Sequence, residues 1–253
     1  MAASADKIDH GFVDEPAKYQ RRVVAFYDVM GWQSKIDGAG TDSARITQLK
    51  NIVRLFATTR GEYGVGTPFN GRVTTFSDNV VVSAKPEADS LLTVVMRLAM
   101  MQFGAAQIGF LIRGGITIGD ILHDEHVVFG PALNRAYQLE HAMADMARIV
   151  IDPETLGAFD KFNDLIGTED GIHYIDPWTV KFAAIYLKIG NLKETTAEAQ
   201  LTSILQYLGY ELRQLKDGDK NIARLTWLYK KLLAQLGIEA ANLDETINAM
   251  RRK

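Results

Sequence analysis

Short apolar runs alternate with segments of helical spacing along the first 190 residues. The run 23–29, rich in β-branched and aromatic residues, predicts a buried strand. Apolar residues recur at helical spacing over 43–60, and the strand-like runs 72–76 and 80–83 predict a β-hairpin with a polar tip. The same criteria predict, in chain order, a helix over 88–107, strands over 110–118 and 127–129, a helix over 132–146, a strand over 148–151, a helix capped by Asp152, and paired strands over 172–187.

This order, β-α-ββ-α-ββ-α-β, predicts an α/β (α+β) fold. We expect a ferredoxin-like core in which a mixed, mainly antiparallel sheet is flanked by helices. Beyond Gly190 the pattern becomes helical, with predicted helices over 195–216, 220–236 and 243–251. The expected organisation is therefore an N-terminal arm (1–20), a main domain (21–190) and a helical C-terminal extension (191–253).

Composition narrows the function classes. The chain has 28 Lys and Arg against 31 Asp and Glu, a formal net charge of −3, which argues against a general nucleic-acid binder. It contains no cysteine, so disulfides and thiolate metal sites are excluded. The N-terminus is polar, and no apolar stretch approaches the roughly 18 residues of a membrane span. We expect a cytoplasmic protein with no membrane segment.

Two aspartates carry the candidate chemistry. Asp28 lies near the end of the run 23–29, where a carboxylate is costly unless it is paired or bound to a metal. Asp78 lies at the tip of the predicted hairpin, which a β-α-ββ unit brings beside the first strand. Paired carboxylates suit Mg²⁺ or Mn²⁺ and phosphoryl transfer. The alternative is a helix-capping aspartate and an ordinary turn aspartate, and the spacing alone leaves both interpretations open.

A third segment links these residues to a known family. Arg113-Gly114-Gly115-Ile116-Thr117-Ile118-Gly119-Asp120 is followed by Phe129-Gly130-Pro131-Ala132-Leu133-Asn134-Arg135-Ala136-Tyr137-Gln138-Leu139-Glu140. With the two aspartate segments, it resembles the class III adenylate and guanylate cyclases over about residues 21–185, each motif in the family's order. The helical tail and the divergent base-pocket positions resemble the bacterial pyrimidine cyclases of the Pycsar anti-phage systems.

The resemblance implies a two-metal enzyme that converts a nucleoside triphosphate into a 3′,5′-cyclic nucleotide and pyrophosphate. Asp28 and Asp78 would hold two Mg²⁺ or Mn²⁺ ions, with the backbone carbonyl of Val29 as a further ligand. Asn134 would orient the ribose from the partner subunit of a head-to-tail homodimer. The nucleotide-binding residues implied in the same way are Tyr27, Val29, Met30, Gly31, Trp32, Thr74 and Val127.

Departures from the family's pattern bear on specificity. Thr74 and Val127 stand where adenylate cyclases carry a base-reading Lys and Asp. We therefore expect a pyrimidine substrate, with UTP favoured over CTP on the resemblance, and an anti-phage second-messenger role. Gln138 stands where the family has a transition-state Arg, so Arg135, which we include among the catalytic residues, or Arg113 would have to supply that charge.

Other interpretations stay open. The sequence is compatible with a purine cyclase that has an unusual base pocket, and with a catalytically silent domain that binds a nucleotide or a partner. His123-Asp124-Glu125-His126 resembles a metal cluster, but it falls between two predicted strands. We interpret it as a solvated turn.

Overall fold

The computed structural model describes residues 17–58 and 71–239. Its strands are β1 (Gln20–Val29), β2 (Gly71–Phe76), β3 (Asn79–Ala84), β4 (Ile112–His123), β5 (Val128–Phe129), β6 (Ile149–Ile151), β7 (Ile166–Glu169) and β8 (Ile172–Ile175). Its α-helices are α1 (Trp32–Ala39), α2 (Ser43–Thr58), α3 (Ala88–Gln107), α4 (Pro131–Met143), α5 (Val180–Ile189), α6 (Ala197–Gln214) and α7 (Asn221–Gln235), and a 3₁₀ helix covers Pro153–Leu165. Within these residues, no helix is long and apolar enough to cross a membrane.

The strands form one sheet in the order β2-β3-β1-β4-β6-β8-β7, with β5 paired to β4 outside this path. Neighbouring strands are antiparallel except β4 and β6, which are parallel. The segment β2-β3-β1-β4 has the strand order that a ferredoxin-like β-α-ββ-α-β chain produces. The prediction of a mixed, mainly antiparallel sheet flanked by helices is therefore confirmed.

One element prediction was wrong. Paired strands were expected over 172–187, but β8 ends at Ile175 and α5 begins at Val180. The Thr179 side chain accepts a hydrogen bond from the Phe182 backbone N–H and caps α5. This cap favours helix for an apolar run that also suits a strand. Helix α1 and strand β7 were not predicted. The predicted helix over 243–251 and most of the N-terminal arm lie outside the described residues.

The sheet has two unlike faces. One face bears the main core, to which helices α2, α3, α5, α6 and α7 contribute buried apolar side chains. The other face carries α4, which packs Ala132 and Ala136 against Val24 and Ile121. Because side chains alternate along a strand, successive residues of β1 point to these two faces in turn.

The C-terminal helices join the main core rather than standing apart from it. Leu208 of α6 and Leu228 of α7 are fully buried in the same apolar cluster as the sheet. Lys231 of α7 forms an ion pair with Asp176 at 2.8 Å and donates a hydrogen bond to the Tyr174 hydroxyl at 3.1 Å. These contacts attach α7 to the end of β8.

Helix α4 lies unusually close to β4. A Cβ atom added to Gly115 would lie 2.3 Å from the Ala136 backbone oxygen and 2.6 Å from Leu139 Cβ. At Gly114, on the opposite face, it would lie 2.4 Å from the Phe26 backbone oxygen. Glycine at these positions therefore sets how close the helix and the neighbouring strand approach β4.

Gly115→Ala should push α4 away from the sheet. Because the clash is with backbone, we expect a loss of about 2 kcal/mol or more in the free energy of unfolding, measured by urea denaturation. Gly157→Ala is the control, since its added Cβ would meet no heavy atom closer than 4.0 Å. Equal stability of the two variants would contradict this account of the α4–β4 contact.

Candidate active site

Tyr27 and Asp28, which the sequence assigned to one site, lie on opposite faces of the sheet at the end of β1. Val23, Ala25, Tyr27 and Val29 belong to the main core, and Tyr27 packs edge-on against Phe56 with ring centroids 5.7 Å apart. Asp28 follows the opposite alternation and lies on the α4 face, half-buried. The Tyr27 ring is therefore on the other side of the sheet from the Asp28 carboxylate.

Asp28 is paired with a cation across the sheet. Arg113 is its register partner on β4, and its Nε and Nη2 atoms donate to the two Asp28 carboxylate oxygens at 3.2 and 3.4 Å. Arg113 Nη2 also lies 2.8 Å from Glu140 Oε1, an ion-pair contact without hydrogen-bond geometry. Glu140 belongs to α4 and its side chain is only 3% exposed, so one guanidinium serves two carboxylates.

The hairpin tip brings Asp78 to the same end of the sheet. Tyr27 pairs with Val80, so the residues that follow β1 lie beside the β2–β3 turn. Trp32 Nε1 donates to Ser77 Oγ at 3.0 Å and ties this turn to α1. Burial raises the pKa of Asp78, and the nearby negative charge of Asp28 raises it further. The structure thus brings together the two aspartates that the sequence singled out.

The turn between β1 and α1 is tightly held. The Met30 N–H donates to the Leu111 carbonyl at 2.8 Å, and Gly31 has φ of +70°, a left-handed conformation that favours glycine. Helix α1 begins at Trp32 without a side-chain cap. Its first N–H groups can therefore donate hydrogen bonds to an anion from solvent or substrate.

A second group of predicted residues lies at the opposite end of β4. Thr74 Oγ1 is 3.0 Å from His123 Nε2, and Asn134 and Val127 are exposed. The interpretation of His123 as part of a solvated turn was wrong, since His123 is the last residue of β4 and is 6% exposed. The polar sequence after His123 concealed that the strand extends this far.

Arg135 is engaged in a structural ion pair. Its Nε and Nη2 atoms donate to the two carboxylate oxygens of Asp152 at 3.0 and 2.7 Å. The Thr117 hydroxyl donates to the same carboxylate at 2.6 Å, and together these bonds lower the pKa of Asp152 although burial opposes them. Arg135 therefore holds α4 to the start of the 3₁₀ helix, whereas Arg113 is bonded to Asp28.

The donor set fits a metal ion that is shared with a substrate. Within 17–58 and 71–239, no three or more His, Asp or Glu side chains form a group able to hold a metal ion. Asp28 and Asp78 supply two carboxylates, and Mg²⁺ is commonly held by one or two carboxylates, water and substrate phosphates. Burial and, to a smaller extent, the negative charge of Asp28 raise the pKa of Asp78, and a bound cation would offset both effects.

Three solved structures are similar to this chain. No family model and no curated protein matches the sequence. The adenylate/guanylate cyclase/hydrolase from Silicibacter pomeroyi is 14% identical, with 63% of this chain and 98% of that chain covered and a TM-score of 0.40. The monomeric guanylyl cyclase domain of the RhoGC fusion protein from the fungus Blastocladiella emersonii is 16% identical, with 62% and 95% covered and a TM-score of 0.42.

A third solved structure, the catalytic core of a rhodopsin-guanylyl cyclase with converted specificity in complex with ATPalphaS, is 15% identical. It covers 63% of this chain and 97% of its own, with a TM-score of 0.40. At these identities and TM-scores the similarity transfers no residue role to this chain.

Arg113→Gln should leave Glu140 buried without a cation. Removing one partner of a buried ion pair costs about 3 kcal/mol, so we expect a loss of that order at pH 7.5. Burial already raises the pKa of Glu140, and losing Arg113 raises it further. A carboxyl group whose folded pKa exceeds its unfolded value loses stability as pH rises through the folded pKa, so the deficit should shrink towards pH 5.

Urea denaturation at pH 7.5 and pH 5 measures this difference. Arg45→Gln is the matched control, because Arg45 pairs with Asp42 at the surface, where such pairs contribute little. A deficit of the same size at both pH values would mean that Glu140 does not carry the cost.

Proposed function

We propose that this protein is a nucleotidyl cyclase that converts a nucleoside triphosphate into its 3′,5′-cyclic nucleotide and pyrophosphate. One observation carries the proposal: Asp28 and Asp78 converge at one end of the sheet, close enough for one charge to raise the pKa of the other carboxyl group. Two such carboxylates beside a helix N-terminus suit a site for metal-bound phosphates.

The proposed metal site lies at the end of the sheet that carries Asp28 and Asp78. Asp28, Asp78 and the backbone carbonyl of Val29 would hold two divalent ions, Mn²⁺ or Mg²⁺. When bound, such ions supply a lower pKa at the ribose 3′-hydroxyl and neutralise charge on the phosphates. Arg113 must then share Asp28 with them, and Glu140 is the second carboxylate that keeps its guanidinium in place.

The chain's own groups position the triphosphate. The N–H groups at the start of α1, at Gly31 and Trp32, can donate to phosphate oxygens, while the Met30 N–H is already bonded to Leu111. Arg113 is the cation adjacent to Asp28 and is the better placed of the two candidate arginines, since Arg135 is bonded to Asp152.

Geometry supports sites shared between two copies of the chain. Thr74 pairs with Val81 on β3, which pairs with Phe26 on β1, so Thr74 lies on the edge strand, two strands away from Asp28. Asn134 precedes Glu140 by six residues of α4, about 9 Å along the helix axis. The base-and-ribose residues therefore lie away from the Asp28 carboxylate on the α4 face. A head-to-tail homodimer would complete two sites.

Exposed apolar side chains favour the same arrangement. Phe76 is 80% exposed, and Tyr137 is 51% exposed while packing edge-on against Phe26. Both belong to the α4 face, where Val127 and Phe129 are also about half exposed. A second copy that covers this face would bury them together with the proposed sites.

The proposed pyrimidine specificity rests on the residues of the base-reading end, Thr74 and Val127. Thr74 and Val127 carry no charge, so neither reproduces the Lys and Asp that the resemblance associates with adenine. We propose UTP as the substrate, less favoured CTP, and an anti-phage second messenger in the cytoplasm as the context. A silent nucleotide-binding domain is the second candidate, favoured by Gln138 and by the Arg135–Asp152 pair that occupies the nearby arginine.

Asp28→Asn and Asp78→Asn should each lower the rate of cyclisation about a thousandfold, because metal ligation supplies much of the charge stabilisation. The assay offers ATP, GTP, CTP and UTP in equal amounts with Mn²⁺ and identifies cyclic products by mass spectrometry. Asp164→Asn is the control, since Asp164 pairs with Lys181 at the surface.

Thermal unfolding gives a readout independent of turnover. Mn²⁺ should raise the Tm of the parent chain and of the control, and should leave both aspartate variants unchanged. Near-normal cyclisation by Asp28→Asn or Asp78→Asn would refute the two-metal proposal. A Tm response without any cyclic product would favour the silent nucleotide-binding domain.

Shared sites predict complementation between two inactive variants. Asn134→Ala damages the ribose end of each chain and Asp28→Asn the metal end. In an exchanged 1:1 mixture, half of the dimers are mixed and each has one intact site, so about a quarter of the parent activity should return. No recovery after confirmed subunit exchange would mean that each chain builds its own site.

A further inference from the structure

A chain of polar side chains ends at Thr74. Arg22 Nε donates to Ser83 Oγ at 2.9 Å, Ser83 Oγ lies 2.8 Å from His123 Nδ1, and His123 Nε2 lies 3.0 Å from Thr74 Oγ1. Ser83 is fully buried, and Arg22 and His123 are almost so. We call these four residues the Thr74 relay. It connects β1, β3, β4 and β2 on the base-reading end of the α4 face.

Arg22 sets the direction of the first hydrogen bond, and the need to pair the single proton of the buried Ser83 hydroxyl sets the direction of the next. An arginine side chain only donates, so the Ser83 oxygen accepts from Arg22. In the described part of the chain, the other side-chain partner of Ser83 is His123 Nδ1, which therefore receives the Ser83 proton. A neutral imidazole that accepts at Nδ1 carries its own proton at Nε2 and donates it to Thr74 Oγ1.

The imidazole is neutral at physiological pH. Burial lowers the pKa of His123 to about 4, and the charges of Arg22 on β1 and Arg72 on β2 act in the same direction, against the smaller opposing effect of Asp124. An imidazolium would donate from both nitrogens and would place two protons between Nδ1 and Ser83. The neutral form avoids this conflict.

Thr74 is left with a hydroxyl proton to donate. Its oxygen already accepts from His123, which is the one hydrogen-bond partner of the Thr74 side chain among the described residues. We propose that the Thr74 relay presents this proton to the bound base, and that it selects a base with a keto oxygen at that edge over a base with an amino group.

This inference rests on the proposed function, because it takes Thr74 to face the base. A keto oxygen, as in uracil or guanine, accepts the proton and satisfies the hydroxyl. An amino group, as in cytosine or adenine, is a donor and would leave that proton unpaired, and an unmade buried hydrogen bond costs more than a made one contributes. Selection between keto and amino bases is thus independent of selection between pyrimidine and purine bases.

The first test reads the relay without any nucleotide. Long-range ¹H–¹⁵N NMR of the full chain at pH 7 should show His123 as the neutral Nε2–H tautomer. An Nδ1–H tautomer or an imidazolium would overturn the proposal. Ser83→Ala removes the proton that Nδ1 accepts, and it should release the preference for that tautomer.

The second test measures selectivity. We expect the parent chain to bind or turn over the keto nucleotides about tenfold better than the matching amino nucleotides, UTP against CTP and GTP against ATP. Thr74→Val has the same shape without a hydroxyl and should reduce this ratio towards one, whereas Thr74→Ser should keep it. Thr168→Val is the matched control, because Thr168 forms a similar contact with His173 on an exposed hairpin.

Binding of α,β-methylene analogues of the four triphosphates, measured by calorimetry with Mn²⁺, separates this inference from the proposed function. A keto preference among the analogues, with no cyclic product from the four natural triphosphates, supports the relay and removes the cyclase. A preference for GTP over UTP, with CTP and ATP poor, supports the relay and removes only the pyrimidine assignment. Equal binding of keto and amino analogues, an unchanged ratio in Thr74→Val, or no binding at all overturns the relay proposal.

Discussion

The close contact between α4 and β4 is the constraint on which the site depends. Gly115 lets the backbone of α4 approach to where a side chain would otherwise lie, and this fixes the height of the helix above the sheet. At that height Glu140 reaches Arg113, and Arg113 in turn holds the carboxylate of Asp28. Asn134, in the first turn of the same helix, is exposed near the far end of β4. One packing distance therefore determines both the charge balance around Asp28 and the separation of the two ends of the α4 face.

Much of the fold could be read from hydrophobic periodicity, because the strands and helices of the first 175 residues have the expected periods. The convergence of Asp28 and Asp78 followed from the β-α-ββ order, since that order places a hairpin tip beside the end of the first strand. The partner of Asp28 did not follow, because periodicity gives no strand register and therefore does not align Arg113 with Asp28. His123 and Val180–Ile189 were misread for a different reason. A polar neighbour conceals a strand end, and a cap at Thr179 decides between helix and strand for an apolar run.

The two ends of the α4 face solve different electrostatic problems. At the Asp28 end, Asp28 and Glu140 share Arg113, and the negative charge of Asp28 helps to raise the pKa of Asp78. At the Thr74 end, the buried Arg22 donates to neutral acceptors of Ser83, and this fixes the direction of the hydrogen bond between the two side chains. The first arrangement attracts positive charge. In the second, the charge of Arg22 determines which of the neighbouring groups donates and which accepts.

The attachment of α7 to the sheet has a consequence for regulation. Because Leu228 shares the core with the strands and Lys231 is bonded to Asp176 and Tyr174, α7 is part of the structural unit that carries the aspartates. A molecule that binds the outer side of α7 and prefers its docked state would stabilise the sheet by the same free energy. Binding to the C-terminal helices can thus change the stability of the strands that carry Asp28 and Arg113 from a surface remote from those residues.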